Sequence, residues 1–298
     1  MKNTIKFDKT AENGGSMIQD IAPHQYDVTY KNAKAEPDNI MLIYDKGSLL
    51  CHMEGNQISY PTVREIAEVF PMIYEKAKFL FHIDEEDYFE LHQPKIEPFG
   101  KWKYLPKEGL RNARPIWMAY AGITGFQIHK WYTEHRFCGK CGKKMKAKQT
   151  ERAMQCLDCS RVVYPQICPS VIVGITDGSR ILMTKYASSH SNYKKYALVA
   201  GYAEIGESLE NTVAREVMEE VGLKVKNIRY YKSQPWSFSD ALLVGFFCEV
   251  DGNAEIKMDT EELSAAEWFE RDALPKERSE ASISLTGEMI DAFRDGII

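Results

Sequence analysis

No stretch of the 298-residue sequence is apolar for long enough to cross a bilayer. The most apolar run, "ALLVGFF", falls far short of the roughly 20 residues that a spanning helix needs. The opening "MKNTIKFDKTAENGG" holds no apolar core of signal-peptide length, so no membrane partner is expected and the expected address is the cytoplasm. Internal repeats and low-complexity tracts are absent, and no Gly/Ser-rich or Pro-rich linker separates the first half from the cysteines that follow it. An excess of positive charge is lacking too. Lys and Arg number 38 against 43 Asp and Glu, and the net charge of -5 argues against wholesale wrapping around nucleic acid. What remains, 44% hydrophobic and 27% charged, is ordinary globular composition on a chain long enough for two or three domains.

One segment runs against the overall charge. Between Lys130 and Arg152 the sequence carries Lys140, Lys143, Lys144, Lys146 and Lys148 with few acids, a stretch that a phosphate-rich partner suits. The same segment holds four of the seven cysteines. Cys138-Gly-Lys-Cys141 and Cys156-Leu-Asp-Cys159 have the spacing of a zinc ribbon, in which each pair wraps half of a tetrahedral thiolate site. Four thiolates leave no open coordination position, so one structural Zn²⁺ per chain is expected, holding a fold and not performing chemistry. Cys51, Cys168 and Cys248 lie in apolar surroundings and are expected to be plain buried thiols.

Before the cysteines, "NIMLIYD" and "SLLCHM" read as strands joined through Asp45, Lys46 and Gly47, with a helix in "TVREIAEVF". "RPIWMAYAGITGFQIHKWYTEH" reads as a helix leading straight into the first CxxC. After Pro165, strands ("SVIVGIT", "RILMTKY", "YALVAGY", "ALLVGFFCEV") alternate with helices ("SLENTVAREVMEEV", "SLTGEMIDAF"), and "PWSFSD" reads as a loop. The expected organisation is a small α/β domain over 1–132, a zinc ribbon over 133–164 and an α/β domain with helices packed on a sheet over 165–298.

The helix over residues 208–221 poses a problem. Ser208 can cap it, Val213, Val217 and Val221 form its apolar stripe and Gly222 stops it. Beside that stripe sit Glu216, Glu219 and Glu220, a spacing at which like charges destabilise an exposed helix by about 0.2–0.5 kcal/mol per pair. A solvated face, with Arg215 paired to Glu219, is the ordinary explanation. Glu204 and Glu207 in the preceding loop weaken it, because clustered carboxylates are what Mg²⁺ or Mn²⁺ requires, and Mg²⁺ prefers to share its shell with phosphate oxygens.

Gly201, Glu207 and the run Arg215-Glu216-Val217-Met218-Glu219-Glu220-Val221-Gly222-Leu223 fill every fixed position of G-x5-E-x7-R-E-U-x-E-E-x-G-U, where U is a bulky aliphatic residue. The chain thereby resembles the Nudix hydrolases, which cleave a nucleoside diphosphate linked to another moiety with a divalent metal. The ribbon before the box and "SQPWSFSDA" at 233–241 narrow the resemblance to the NADH pyrophosphatases, whose added motif is SQPWPFPxS. It runs from about Phe137 to Phe293, whereas the first domain is similar only in position and size.

The resemblance implies a Nudix α/β/α sandwich behind a zinc ribbon and a small α/β domain. It implies hydrolysis of NAD(H) to nicotinamide mononucleotide and AMP, removal of NAD caps from RNA in related members, and a homodimer. Glu216, Glu219, Glu220 and Glu262, with the Ala200 carbonyl, take the positions of Mg²⁺ or Mn²⁺ ligands, and Glu207 stands as a further candidate. Glu219 or Glu262 is the candidate base, and Arg215 orients a box glutamate. Tyr164 and Tyr202 match aromatic positions on the nicotinamide side. Glu151, the loop Gln234, Pro235, Trp236, Ser237, Phe238, Ser239, Asp240 and Ala241, and Ser284 match other substrate-contact positions. Apart from the resemblance, His190 in "SSHSNYKKY" could approach a substrate, although a lone loop histidine is more often just solvated.

The loop departs from the pattern. Ser237 and Ser239 stand in place of two prolines and Ala241 in place of a serine, which removes two fixed φ angles and a hydroxyl. This bears on selection for NADH and keeps ADP-ribose, FAD and diadenosine polyphosphates in view. Two other readings stand beside the enzyme of free dinucleotides. One is a non-catalytic module that senses NAD or ADP-ribose, against which the complete box counts. In the other, capped RNA is the main substrate, gripped through Lys143, Lys144, Lys146 and Lys148, with binding that falls steeply with salt.

Overall fold

A computed structural model describes residues 17–189, 193–279 and 283–298. His190 lies outside the described residues. The chain divides into two compact units, one formed by Ile18–Cys168 with Pro235–Ala241, the other by Pro169–Gln234 and Leu242–Ile298 with Met17.

In the first unit the hairpin anticipated around Asp45 and Gly47 joins Tyr44–Asp45 to Ser48–Glu54, which also pairs with Gln57–Ser59 and Lys103–Pro106. A second sheet runs in the order Tyr26–Asp27, Lys78–Ile83, Glu86–Glu90, Ile40–Leu42. The short helix Val63–Val69 starts in a capping box, in which Thr62 accepts from the Glu65 backbone while the Glu65 carboxylate accepts from the Thr62 backbone.

The helix Ile116–Glu134 threads the centre of this unit and buries eleven residues. Its glycines explain the close fit. A Cβ on Gly122 would overlap Tyr60, and one on Gly125 would overlap Tyr44 and Leu42. Both tyrosines use that closeness: Tyr60 Oη donates to the Met118 carbonyl and Tyr44 Oη to the Gly122 carbonyl, each at 2.8 Å. The helix leads into three short antiparallel strands, Met145–Ala147, Met154–Cys156 and Val162–Val163.

The second unit is built on one six-stranded sheet in the order Val225–Trp236, Ala241–Val250, Cys168–Asp177, Arg180–Tyr186, Leu263–Glu270, with Val199–Tyr202 also paired to Cys168–Asp177. The two-residue period of a strand sorts its apolar residues into two cores. Val171, Val173, Ile175 and Leu182 face the Leu209–Val221 helix, whereas Ile172, Ile181 and Met183 face the Leu285–Arg294 helix. A helix on each face of a sheet is the α/β/α sandwich. Val213, Val217 and Val221 are fully buried on the first face, each burial stabilising the fold by roughly 1.5–3 kcal/mol.

Three expectations change. "PWSFSD" is not all loop: the strand continues through Trp236, and only Ser237–Asp240 turn, because Asp240 at φ 60° lets four residues close the hairpin into Ala241. Cys168 is only half-buried, unlike Cys51 and Cys248, since it opens its strand next to exposed Ile167 and Pro169. Finally, Val225–Trp236 and Leu263–Glu270, unforeseen as strands, form the two edges of the sheet.

Candidate active site

The acidic helix starts at Ser208, whose hydroxyl accepts from the Asn211 backbone, and ends at Gly222 in the left-handed conformation, φ 69°. Its three glutamates do not share one environment. Glu216 and Glu220 are buried, while Glu219 is exposed. Burial raises both buried carboxyls above the usual range, Glu220 to about 8, with the Glu216 charge adding to the effect on Glu220. Glu262 and Asp259 are further negative neighbours of Glu220, and the Ala200 backbone hydrogen-bonds it. Glu220 Oε2 is buried without a hydrogen-bond partner among the described residues.

Arg215 gathers the rest of the cluster. Its Nε and Nη2 donate to the two Glu207 oxygens at 2.7 and 3.0 Å, its Nη1 to Glu216 at 2.8 Å and Glu219 at 2.9 Å, and its Nη2 also to the Tyr202 carbonyl at 2.9 Å. Glu207 further accepts from Thr212 Oγ1 at 3.0 Å and from the Glu204 backbone at 3.1 Å. Arg215 foremost holds the Glu207 carboxyl down at about 2. Gly201 lies against Glu216, and a Cβ there would overlap its carboxylate.

A divalent ion suits this donor set. Two desolvated carboxylates, one with an oxygen that nothing satisfies, are costly unless a cation neutralises them, and all the donors are the hard oxygens that Mg²⁺ and Mn²⁺ prefer. The box carboxylates are not drawn into one tight cluster. Among the described residues, the sets of three or more metal-type side chains with donor atoms within 4.8 Å are the four cysteines and a separate group of Glu90, His92 and His129.

Cys138, Cys141, Cys156 and Cys159 do converge, with Sγ separations of 3.5 Å (138 to 159), 3.5 Å (141 to 156) and 3.6 Å (141 to 159). Ligands about 2.3 Å from one zinc ion lie about 3.8 Å apart, so the thiols stand close to tetrahedral order. Backbone hydrogen bonds favour the thiolate at two of the four, one from Lys140 foremost lowering Cys138 to about 6 and one from Cys159 lowering Cys156, whereas Cys141, despite a backbone bond from Lys143, is pushed up to about 12 by its cysteine neighbours.

The hairpin tip is held within its own unit. Arg111 lies over both the Trp236 and Phe238 rings, 4.9 and 4.4 Å from their centroids, and those rings are 4.9 Å from each other. Lys107 donates to the Phe238 carbonyl at 2.9 Å, and Lys130 forms a close ion pair with Asp240. Ser237 is buried, and the Ser239 backbone donates to the Trp236 carbonyl at 3.1 Å. Pro235 is exposed, while Ala241 is buried and opens the return strand.

Gln234 is fully buried: its amide donates to the Ile283 carbonyl at 2.9 Å and accepts from the Leu285 backbone at 2.8 Å. It thus fixes the start of the last helix, where Ser284 is the cap. Glu151 forms a close ion pair with Lys148. Tyr164 is 57% exposed and Tyr202 51%, which rules out core packing for either ring.

The Nudix domain family matches residues 167–286, and the NADH pyrophosphatase zinc ribbon domain matches 134–164. The chain is similar to the NAD-capped RNA hydrolase NudC of Erwinia tasmaniensis, 45% identical over 151 residues that make up 51% of this chain and 57% of that protein. A protein of the same name from Salmonella typhimurium is 44% identical over 200 residues, 63% of this chain and 77% of that one. The chain belongs to the Nudix hydrolases with an NADH pyrophosphatase zinc ribbon.

It spans a little over half the length of the first of these relatives. Among solved structures, a Nudix hydrolase from Nitrosomonas europaea is similar at 20% identity and a TM-score of 0.45, over 54% of this chain and 91% of that one. In this Nudix chain, three residues with a visible part in the geometry carry no motif: Arg111, Lys107 and Lys130. Each lies more than a hundred residues from its partner in the hairpin tip, so no local spacing could have marked it.

Proposed function

We propose that this chain hydrolyses the pyrophosphate bond of NAD(H), giving nicotinamide mononucleotide (or its reduced form) and AMP. The observation that carries the reading is the pair of buried carboxylates, Glu216 and Glu220, with one Glu220 oxygen left unsatisfied beside Glu262. Glu216, Glu220 and Glu262, with exposed Glu219 and the Ala200 carbonyl, would hold Mg²⁺ or Mn²⁺. When bound, such an ion supplies charge neutralisation at the pyrophosphate and an acidified water.

The protein side of the reaction follows from the contacts. Arg215 sets the angle of Glu216 and Glu219 and anchors the strand end at Tyr202, while Glu207, with both oxygens engaged, holds Arg215 and leaves ligation to the others. Of the two candidate bases we favour Glu262, half-buried and free of the Arg215 network that holds Glu219, to take a proton from water. Tyr164 and Tyr202 each offer an exposed aromatic face to a flat base, and a substrate role for Trp236, Ser237, Phe238, Ser239, Asp240 and Ala241 rests on the family motif alone. Glu151 contributes a contact through its charge, whereas Gln234 acts through the Ser284 cap.

The division into 1–132, 133–164 and 165–298 is part of this proposal, with a cytoplasmic location that keeps the zinc thiolates reduced and a homodimer as the working form. The related NudC proteins are named for NAD-capped RNA, and exposed Lys143, Lys144 and Lys146 on the ribbon favour a second, overlapping substrate of that kind, whereas Lys148 is half-buried and paired with Glu151.

Chromatographic product analysis tests the reading. Zinc-loaded protein with Mg²⁺ or Mn²⁺ is given NADH, NAD, ADP-ribose, FAD, diadenosine polyphosphates and NAD-capped RNA. Mononucleotide plus AMP from NAD(H), formed faster than the other products, is the expected result. Preference for another dinucleotide would move specificity to the changed loop, and tight binding without cleavage would make the chain a sensor.

A further inference from the structure

We propose that Glu90, His92 and His129 form a second transition-metal site in the N-terminal unit, taking a borderline divalent cation such as Zn²⁺ or Co²⁺. One donor atom from each of the three lies within 4.8 Å of the others. The site is built by alternation and by one helix. Phe89 and Leu91 pack into the same core, so the extended chain turns Glu90 and His92 to the opposite side. There the Ile116–Glu134 helix presents His129, whose Nδ1 lies 2.6 Å from Glu90 Oε2 and whose ring centroid is 5.7 Å from that of His92.

The hydrogen bond between Glu90 and His129 accounts for only half of what is there. Glu90 is fully buried, yet its Oε1 has no hydrogen-bond partner among the described residues, and neither does the buried Nδ1 of His92. An orphan acceptor and an orphan imidazole nitrogen, on residues of one group whose donor atoms lie within 4.8 Å of one another, are explained together by a cation that both residues can ligate. Two imidazoles and one carboxylate suit Zn²⁺ or Co²⁺ and discriminate against Mg²⁺, which prefers oxygen alone. The ion would take the place of the hydrogen bond between His129 Nδ1 and Glu90 Oε2. Lys78, opposite Glu90 in the strand register, points its ammonium at the Tyr132 ring, 4.6 Å from the centroid. Bound metal would tie the end of the Glu86–Glu90 strand to the helix that also carries Lys130, the partner of Asp240.

The inference is independent of the NAD(H) reading, and metal counting on the full chain tests it. Protein is loaded with excess Zn²⁺ in Mg²⁺-free buffer, passed through gel filtration and analysed by elemental mass spectrometry. Two equivalents are expected for Glu220→Gln, whose Nudix box is impaired, and one when His92→Gln is added in the same background. Co²⁺ added to the zinc-ribbon form should give ligand-field bands without thiolate charge transfer, and these should be missing in His92→Gln. A single equivalent in Glu220→Gln overturns the site, as does a second one that survives the added His92→Gln. A second equivalent held by the wild type but lost in Glu220→Gln would belong to the Nudix box. Should His92→Gln fail to fold, X-ray absorption on the wild type decides: imidazole scattering from the second ion supports the site, and oxygen-only scattering overturns it.

Discussion

Arg215 grips Glu207 with two different nitrogens, Nε to Oε1 at 2.7 Å and Nη2 to Oε2 at 3.0 Å, and spends its third on Glu216 and Glu219. One guanidinium therefore organises three box glutamates. A lysine ammonium keeps the charge but cannot span them. Arg215→Lys is expected to lower kcat by about 10–100-fold, the usual effect of losing a partner that orients ligands. Steady-state kinetics at saturating Mn²⁺ check this. Glu207 also ties the pair to acid stability. Its folded carboxyl titrates near 2, below its unfolded value, so its contribution is complete above the ordinary carboxylate range and is lost as pH falls toward 2. Glu207→Gln should flatten that limb of an acid unfolding curve.

Glu220 has the opposite sign. Its folded pKa is raised to about 8, so without divalent metal its protonated form is the stable one, and the stability it allows is lost as pH rises through 8. In Mg²⁺-free buffer the zinc-loaded protein is expected to melt at a lower temperature at pH 9 than at pH 6, and Glu220→Gln should remove much of the difference. Metal competes with that proton. Below pH 8 the Kd for Mn²⁺ should rise about tenfold per pH unit, measurable by calorimetry.

Gly201 is the first fixed residue of the box, and its φ is unremarkable; contact with Glu216 is what requires glycine. Gly201→Ala must push the carboxylate aside. A loss of about 10²-fold in kcat is expected, the scale of a 1 Å misplacement, with the thermal midpoint reporting whether the fold survives.

The hairpin tip should tune binding more than chemistry. Lys130 and Asp240 are partly exposed, so their pair contributes about 0.2–1 kcal/mol, and Lys130→Ala is expected to raise KM by up to about fivefold at nearly constant kcat. Ser239→Pro restores the family residue but removes the N–H that donates to Trp236, a loss of about 0.5–1.5 kcal/mol in stability. A double-mutant cycle on Lys130 and Asp240 and a denaturant titration of Ser239→Pro check the two.

The acidic helix was legible because everything that makes it is local: Ser208 and Gly222 at its ends, valines every fourth residue between them, glutamates beside the valines. The four cysteines were legible for the same reason, since a thiolate site needs two short knuckles. The strands Val225–Trp236 and Leu263–Glu270 were not. As sheet edges they have a neighbour on one side only, and many of their side chains meet water, which erases the apolar alternation that marks a central strand.

By itself the sequence determined the four longest helices, the ribbon ligands, the box and the family they resemble, because each rests on residues within about twenty positions of one another. Only the tertiary structure decided which glutamates are desolvated, that Glu207 is held by Arg215, and that Arg111, Lys107 and Lys130 hold the hairpin tip. It also brought His129 to Glu90, 39 residues earlier in the chain. Burial and charge pairing depend on what the fold lays across a side chain, and in this protein that neighbour comes in most cases from a distant part of the chain.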